Sequence, residues 1–290
     1  MEGFIRFGTF VGLLAVMALW EVWRPRRPFS LSQGKARHWS TNLTLTALNT
    51  LVVRLTVGAV AVNAALFAQQ RGWGVWSLLH LPAWANIVFS LVVLDFAIYL
   101  QHVLSHALPV FWRLHRVHHT DLDVDVTTGL RFHPLEILLS LIYKAALVLL
   151  LGAHPAAVIA FEVILNAASE FNHANVRLPA ALEQILRKVV ITPDLHRIHH
   201  SMVVAETNSN FGFSVPFWDR LCGTYRDQPG QPQTTMLLGL QDDRDPRALG
   251  LGRLLLLPFV AHLGPTHPQQ TTTVVAGEAL EGRVAQGRQR

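Results

Sequence analysis

Five apolar runs, at 7–23, 43–67, 84–100, 135–151 and 156–168, constrain this chain of 290 residues more than any other feature. A run of about 17–25 apolar residues can cross the hydrocarbon of a bilayer, and there the chain must satisfy its own backbone hydrogen bonds. A helix does so within one segment. The expected fold is therefore all-α: a multi-span transmembrane helical bundle of about four to five membrane helices. The last two runs are short and joined by a Gly-Ala-His-Pro tetrapeptide, which predicts either a tight hairpin of two crossings or a pair that dips in without crossing. Composition agrees, with 51% of residues hydrophobic and 15% charged, where soluble domains carry roughly a quarter. The single cysteine, Cys222, excludes an internal disulfide framework, a four-cysteine zinc site and a cysteine-ligated iron–sulfur cluster.

The net charge of +5 would suggest nucleic acid in a soluble protein. Here the basic residues cluster beside apolar runs, at 24–27, 35–37 and the C-terminal end. That pattern marks the cytoplasmic flanks of membrane segments and suits anionic headgroups, so membrane and no nucleic acid is the expected partner. The loop after the first run, with Arg24, Arg26, Arg27, Lys35 and Arg37, is expected in the cytoplasm. The 69–84 loop, with one Arg and three Trp, is expected on the opposite side. Counting onward brings 102–119, His173 and 196–200 out on one, cytoplasmic, face. Residues 1–264 are read as a single integral-membrane domain with its core at 95–225. Residues 253–263 are too short to span and are expected to lie in the interface. The polar tail, 265–290, is expected to be disordered.

Histidines form the second strong pattern. His102 and His106 stand four apart, and His115, His118 and His119 follow at helical spacing. His196, His199 and His200 repeat that spacing about eighty positions later. Residues three and four apart share one helix face. Helices side by side can then turn several imidazoles toward a common axis, as metal sites in bundles do. His173 closes the fifth run on a stripe with Glu162, Asn166 and Ser169 or Glu170. Neutral imidazole suits zinc, copper, iron or nickel. Nine candidates exceed the four of one tetrahedral ion, so two metals are expected. His38, His80, His154, His262 and His267 carry little functional expectation.

The segments "HVLSH", "HRVHH" and "HRIHH" resemble the three histidine boxes of the fatty acid hydroxylase/sterol desaturase superfamily, integral-membrane enzymes with a non-haem di-iron centre. Supporting likeness lies at 127–136 and 208–225. The resemblance implies that His102, His106, His115, His118, His119, His196, His199 and His200 are iron ligands. His173 occupies a region where relatives contribute a further one. His133 could be a ligand, a donor behind one, or a local cap. The implied activity is an O2-dependent oxidoreductase that hydroxylates or desaturates a C–H bond of a lipid, with two Fe ions as cofactor and O2 as co-substrate. Catalytic residues beyond the ligands are not assigned.

Asp95, Glu136, Glu170 and Asp194 are candidates to orient the imidazoles. A structural role, such as a local ion pair, rather than catalysis is expected for Asp219 and Arg220. With no dinucleotide fingerprint and no cluster-binding cysteines, electrons must come from an external reductase or small electron carrier. Arg113, Arg116, Arg187, Lys188 and Arg197 would give it a basic docking face. Two alternatives remain at this point: a metal-dependent membrane hydrolase, and a non-enzymatic metal-handling membrane protein. The clustering of the histidines at run ends speaks against a conduction path for the latter.

Overall fold

The structure, a computed structural model, describes residues 2–260. Its elements in chain order are α1 (Glu2–Trp23), α2 (Lys35–Thr56), α3 (Val60–Arg71), α4 (Val75–Leu78), α5 (Ala83–Ala107), α6 (Pro109–His119), α7 (Pro134–Leu151), α8 (Pro155–His173), α9 (Ala180–Leu186), α10 (Pro193–His199), α11 (Val204–Thr207), α12 (Phe217–Cys222) and α13 (Leu251–Leu256). The described residues are helical, with isolated bridges but no strand. Four stretches are long and apolar enough to cross a membrane: Arg6–Trp23, Lys35–Leu78, Ala83–Ala107 and Pro134–Leu151. The chain is a multi-pass membrane protein, as the run lengths require.

The second run is not one helix from 43 to 67. It is α2 and α3, broken across 57–59, where Gly58 takes φ 55°. Left-handed backbone cannot continue an α-helix, and Val57 and Gly58 both turn back to donate to the Val53 carbonyl. Apolar residues lie on both sides of the break, which is why hydropathy passes over it.

The 135–168 segment is a pair of helices joined by a tight turn, and of the two only α7 is among the stretches long and apolar enough to cross a membrane. α7 ends at Gly152 (φ 68°), and α8 starts at Pro155 and returns. At the tip, near the start of α5, Asn86 donates to the Gly152 carbonyl at 2.9 Å and accepts from the His154 amide at 2.8 Å. The chain after α3 also reaches this tip. A Cβ on Gly74 would stand 2.2 Å from the Gly152 nitrogen, so the close approach requires glycine. With 19 residues, α8 is about 28 Å long. It runs among α1, α3 and α5, and Arg6 of α1 pairs with its Glu162.

The core between these helices is built from small and branched residues. Ala61, Ala64 and Ala65 of α3 meet Leu94 and Ile98 of α5, Val148 and Leu151 of α7, and Val158 and Phe161 of α8. Small side chains let helices approach closely where the solvent is lipid. The C-terminal ends of α1, α5 and α8 and the N-terminal ends of α2 and α7 converge at the end opposite the hairpin tip, and α6, α10 and α13 close over it. Residues 253–260 pack one face inward and leave Leu256 and Phe259 exposed on the other. Leu254 and Leu257 are buried there against Leu45, Val117 and Leu122. Residues 261–263 and the tail 265–290 lie outside the described residues.

Candidate metal centre

Local sequence sets each histidine in place. α5 delivers His102 and His106 from its last turns. Pro109 stops it: the preceding residue, Leu108, is extended (φ −103°, ψ 122°), and the proline becomes the first residue of α6. α6 carries His115, His118 and His119, and α8 ends on His173. α10 opens with Thr192, whose hydroxyl accepts from the Leu195 amide, followed by Pro193; it carries His196 and His199, with His200 just beyond. All nine are buried, none more than 3% exposed.

They fall into two groups. His102, His106, His115, His119 and His199 form one; His118, His173, His196 and His200 form the other. Within each, one nitrogen per ring lies within 4.8 Å of all the others. The groups are neighbours, with the His119 and His200 rings stacked at 4.7 Å between centroids.

Hydrogen bonds on the outer nitrogens decide which inner nitrogens are bare. In the first group, His102 Nδ1 donates to the Phe211 carbonyl at 2.7 Å and His199 Nδ1 to that of Ser209 at 2.8 Å. His115 Nδ1 donates to Glu136 Oε1 at 2.6 Å, and His106 Nδ1 to Asn208 Oδ1 at 3.3 Å. A neutral ring that donates from Nδ1 has a lone pair at Nε2. The Nε2 atoms of His102 and His115 nevertheless face each other at 3.1 Å. Two lone pairs at that distance repel unless a cation lies against both.

In the second group, His173 Nδ1 donates to the Ser169 carbonyl at 2.7 Å. Its bare Nε2 lies 3.1 Å from His118 Nε2 and 3.0 Å from His196 Nε2. The Nε2 atoms of His106, His119 and His199 and both nitrogens of His200 have no hydrogen-bond partner. Native interiors leave few such atoms unpaired. The donor set therefore fits two cations, and nitrogen-rich sites suit iron, zinc, copper or nickel.

Burial, then the neighbouring imidazoles, holds His118, His119, His196 and His200 far below the usual histidine range. His199 is pushed down to about 3 by burial first and His115 next. These rings are neutral near pH 7 and can offer lone pairs. Glu136→Ala would remove the acceptor that orients His115. It is expected to weaken metal retention about 10–100-fold with helix content unchanged, measured by chelator competition and circular dichroism.

Other sequence candidates lie elsewhere. His133 caps α7, accepting from the Leu135 amide, and its Nε2 meets the Leu255 carbonyl; it belongs to neither histidine group. Asp194 holds no imidazole: it pairs with Arg26 at 2.9 Å and Arg197 at 2.7 Å. Asp95 accepts from the Trp218 indole at 2.8 Å. Neither Glu170 oxygen has a partner; the side chain faces a cleft lined by Arg6 and Asn166, between α1 and α8. Asp219 and Arg220 have the structural role expected of them, through hydrogen bonds rather than an ion pair. Asp219 accepts from the amides of Phe211 and Gly212 and from Thr224, whereas Arg220 donates to the carbonyls of Arg187 and Lys188.

The expected basic face is also smaller. Arg116 and Arg197 are buried against Asp243 and Asp194, and Arg187 is paired with Asp227. Of the five, Arg113 and Lys188 stay outside these ion pairs, and Lys188 is exposed.

One set of residues was missed. Asp121, Asp123 and Asp125, just past the second box, are buried with His38. His38 Nε2 lies 2.8 Å from Asp121, which also accepts from Thr128, while Arg131 donates to Thr120 and Asn42. Trp39 and Ser30 donate to Asp125 and Asp123. Burial pushes the Asp121 carboxyl up, but the charge and hydrogen bond of His38, and then the charge of Arg131, outweigh it and hold the carboxyl well below its usual range. The network fixes α2 against the end of α6. The alternation of three acids in "TDLDVDV" was its one sequence signal.

Residues 87–224, which contain all nine histidines, match the fatty acid hydroxylase family model. Relatives include ornithine lipid hydroxylase OlsE of Rhizobium tropici, 32% identical over 53% of this chain and 45% of that protein. Human alkylglycerol monooxygenase is 29% identical over 53% of this chain and 34% of its own. Human cholesterol 25-hydroxylase is 28% identical over 51% and 52% respectively. The matches thus cover about half or less of the length of these relatives. No solved structure matches. Through its histidine-bearing core, residues 87–224, this chain is similar to the fatty acid hydroxylase family and to these lipid hydroxylases and mono-oxygenases.

Proposed function

We propose that the protein is an O2-dependent membrane mono-oxygenase that hydroxylates, or desaturates, a C–H bond of a bilayer lipid. Its nine histidines are the ligands of two iron ions, five on one and four on the other. The observation that carries this reading is the pair of adjacent imidazole groups, in one of which the bare Nε2 atoms of His102 and His115 face each other at 3.1 Å, and in the other of which the bare Nε2 of His173 lies 3.0–3.1 Å from those of His196 and His118. Their place within the fatty acid hydroxylase match, at one end of apolar crossings, adds the lipid and the oxygen chemistry. Bound iron would supply O2 activation and hydrogen abstraction.

The chain's own part is orientation and exclusion of water. The carbonyls of Ser209 and Phe211 and the carboxylate of Glu136 fix the ring tautomers. Phe132 stacks on His118 at 4.5 Å, Trp112 lies 4.9 Å from His106, and Phe211 lies 5.1 Å from His106, walling the pockets with rings. Buried, preorganised dipoles are worth more there than in water.

The relatives' names point to polar lipids and sterols as the substrate class: an ornithine lipid, an alkylglycerol, cholesterol. Residues 1–264 would act as one membrane unit with the histidine end in the cytoplasm, facing the basic loop after α1. Electrons would arrive from an external reductase or small electron carrier. Product formed by purified protein with a chemical reductant and membrane lipid extract should carry one atom of 18O from 18O2 or lose two hydrogens, and should vanish under argon. Undiminished product under argon would instead indicate a hydrolase, and metal flux across vesicles without product would indicate a metal handler.

A further inference from the structure

α12 leaves its apolar face uncovered. Phe217 is 56% and Leu221 65% exposed. The same surface continues onto α9 and the turn after it, where Leu182, Ile185 and Val189 are exposed. Arg220 joins the two pieces by donating to the carbonyls of Arg187 and Lys188, both at 3.1 Å.

Depth says what covers this face. Trp218 of α12 donates to Asp95 and packs on Phe96 at 4.7 Å between ring centroids. Both partners lie in the middle of the 25-residue helix α5, about 9–10 Å down the axis from His102. Thr224, just past α12, meets the Tyr99 hydroxyl at 2.9 Å. α12 is therefore held level with the interior of a crossing, and the outward face of α5 beside it is also bare: Val88, Phe89 and Val92 below, Leu100 and Leu104 above. Lys188 and Arg177, both exposed, flank the patch where phosphate headgroups would lie. Apolar side chains backed by long cations are how a segment lies within the interface.

We propose that α12, with Leu182, Ile185 and Val189, is embedded in the cytoplasmic leaflet as a lateral extension of α5, and that the lipid bilayer is its partner. Asp95 is then an anchor: an acid inside a crossing that holds the Trp218 N–H and so fixes the depth of α12. The consequence reaches the histidines. Asp219 of α12 accepts from the amides of Phe211 and Gly212, and the Phe211 carbonyl orients His102. Seating α12 in lipid fixes the loop that positions a ring.

Cys222, exposed at the end of α12 and the chain's single cysteine, is a built-in reporter. A nitroxide on Cys222 of the full chain, reconstituted in phosphatidylcholine vesicles with some phosphatidylglycerol, should relax several-fold more with O2 than with a water-soluble nickel complex. A label on Gln228→Cys in a Cys222→Ser background should show the reverse. Phe217→Cys in that background gives a second probe within the same face. Free access of the nickel complex to both α12 labels would overturn the proposal, as would protection from both relaxants, which would indicate a covering protein or a second copy. The readout needs neither metal nor turnover, so it stands apart from the proposed activity.

Discussion

His199→Ala is expected to abolish turnover and to leave the purified protein with about half its metal. The ring of His199 lies 4.5 Å from that of His102, 4.8 Å from His106 and 4.7 Å from His119, at the centre of the five-histidine group. Its Nδ1 is fixed by the Ser209 carbonyl, so Nε2 has no role within the protein except toward a cation. Alanine removes that donor and the anchor together. The four-histidine group keeps all its nitrogens, so its ion should remain. His133→Ala is the matched control, because His133 caps α7 outside both groups. Turnover with O2, and metal by inductively coupled plasma mass spectrometry, should separate the two variants cleanly. Full activity in His199→Ala would remove His199 from the ligand set.

Stripping the metal should produce the second large effect, on stability. Without cations, the Nε2 atoms of His102 and His115 remain buried and opposed at 3.1 Å, and those of His106, His119, His199 and His200 remain unpartnered. Each unsatisfied buried polar group costs about 1–3 kcal/mol. A ligand that binds only the folded state adds about 2.7–4.1 kcal/mol at 100–1,000 times its Kd. A chelator permeant enough to reach the centre should therefore lower the apparent melting temperature in detergent by many degrees, and ferrous iron should restore it. Because membrane proteins often melt irreversibly, the midpoints should be compared at one scan rate. Identical curves with and without chelator would mean the histidines are satisfied in some other way.

Much of this arrangement is legible in sequence, and the reason is periodicity. His102 and His106, or His115, His118 and His119, share a face on any helix, so the local geometry follows once the helix is granted. Run lengths and Lys/Arg placement bring those faces to one end. Long-range pairing is not encoded in spacing. Nothing in "LHRIHH" says that His199 joins His102 while His200 joins His118. Nor does composition distinguish Arg197, sealed against Asp194, from a surface arginine. The break at Gly58 and the buried acids at 121, 123 and 125 were missed for the same reason. The first lies inside an apolar run, and the second depends on His38 from a helix more than eighty residues away. The carbonyls of Ser209 and Phe211 could not be read at all, because every residue has one.

The central claim is that these imidazoles hold two ions, one per group. Metal analysis of the wild-type chain, purified from cells grown with adequate iron and quantified per polypeptide, tests it most directly. Two irons per chain is the result this account predicts. A chain that is folded by circular dichroism and holds no metal, or one ion that occupies both groups in turn, would contradict it.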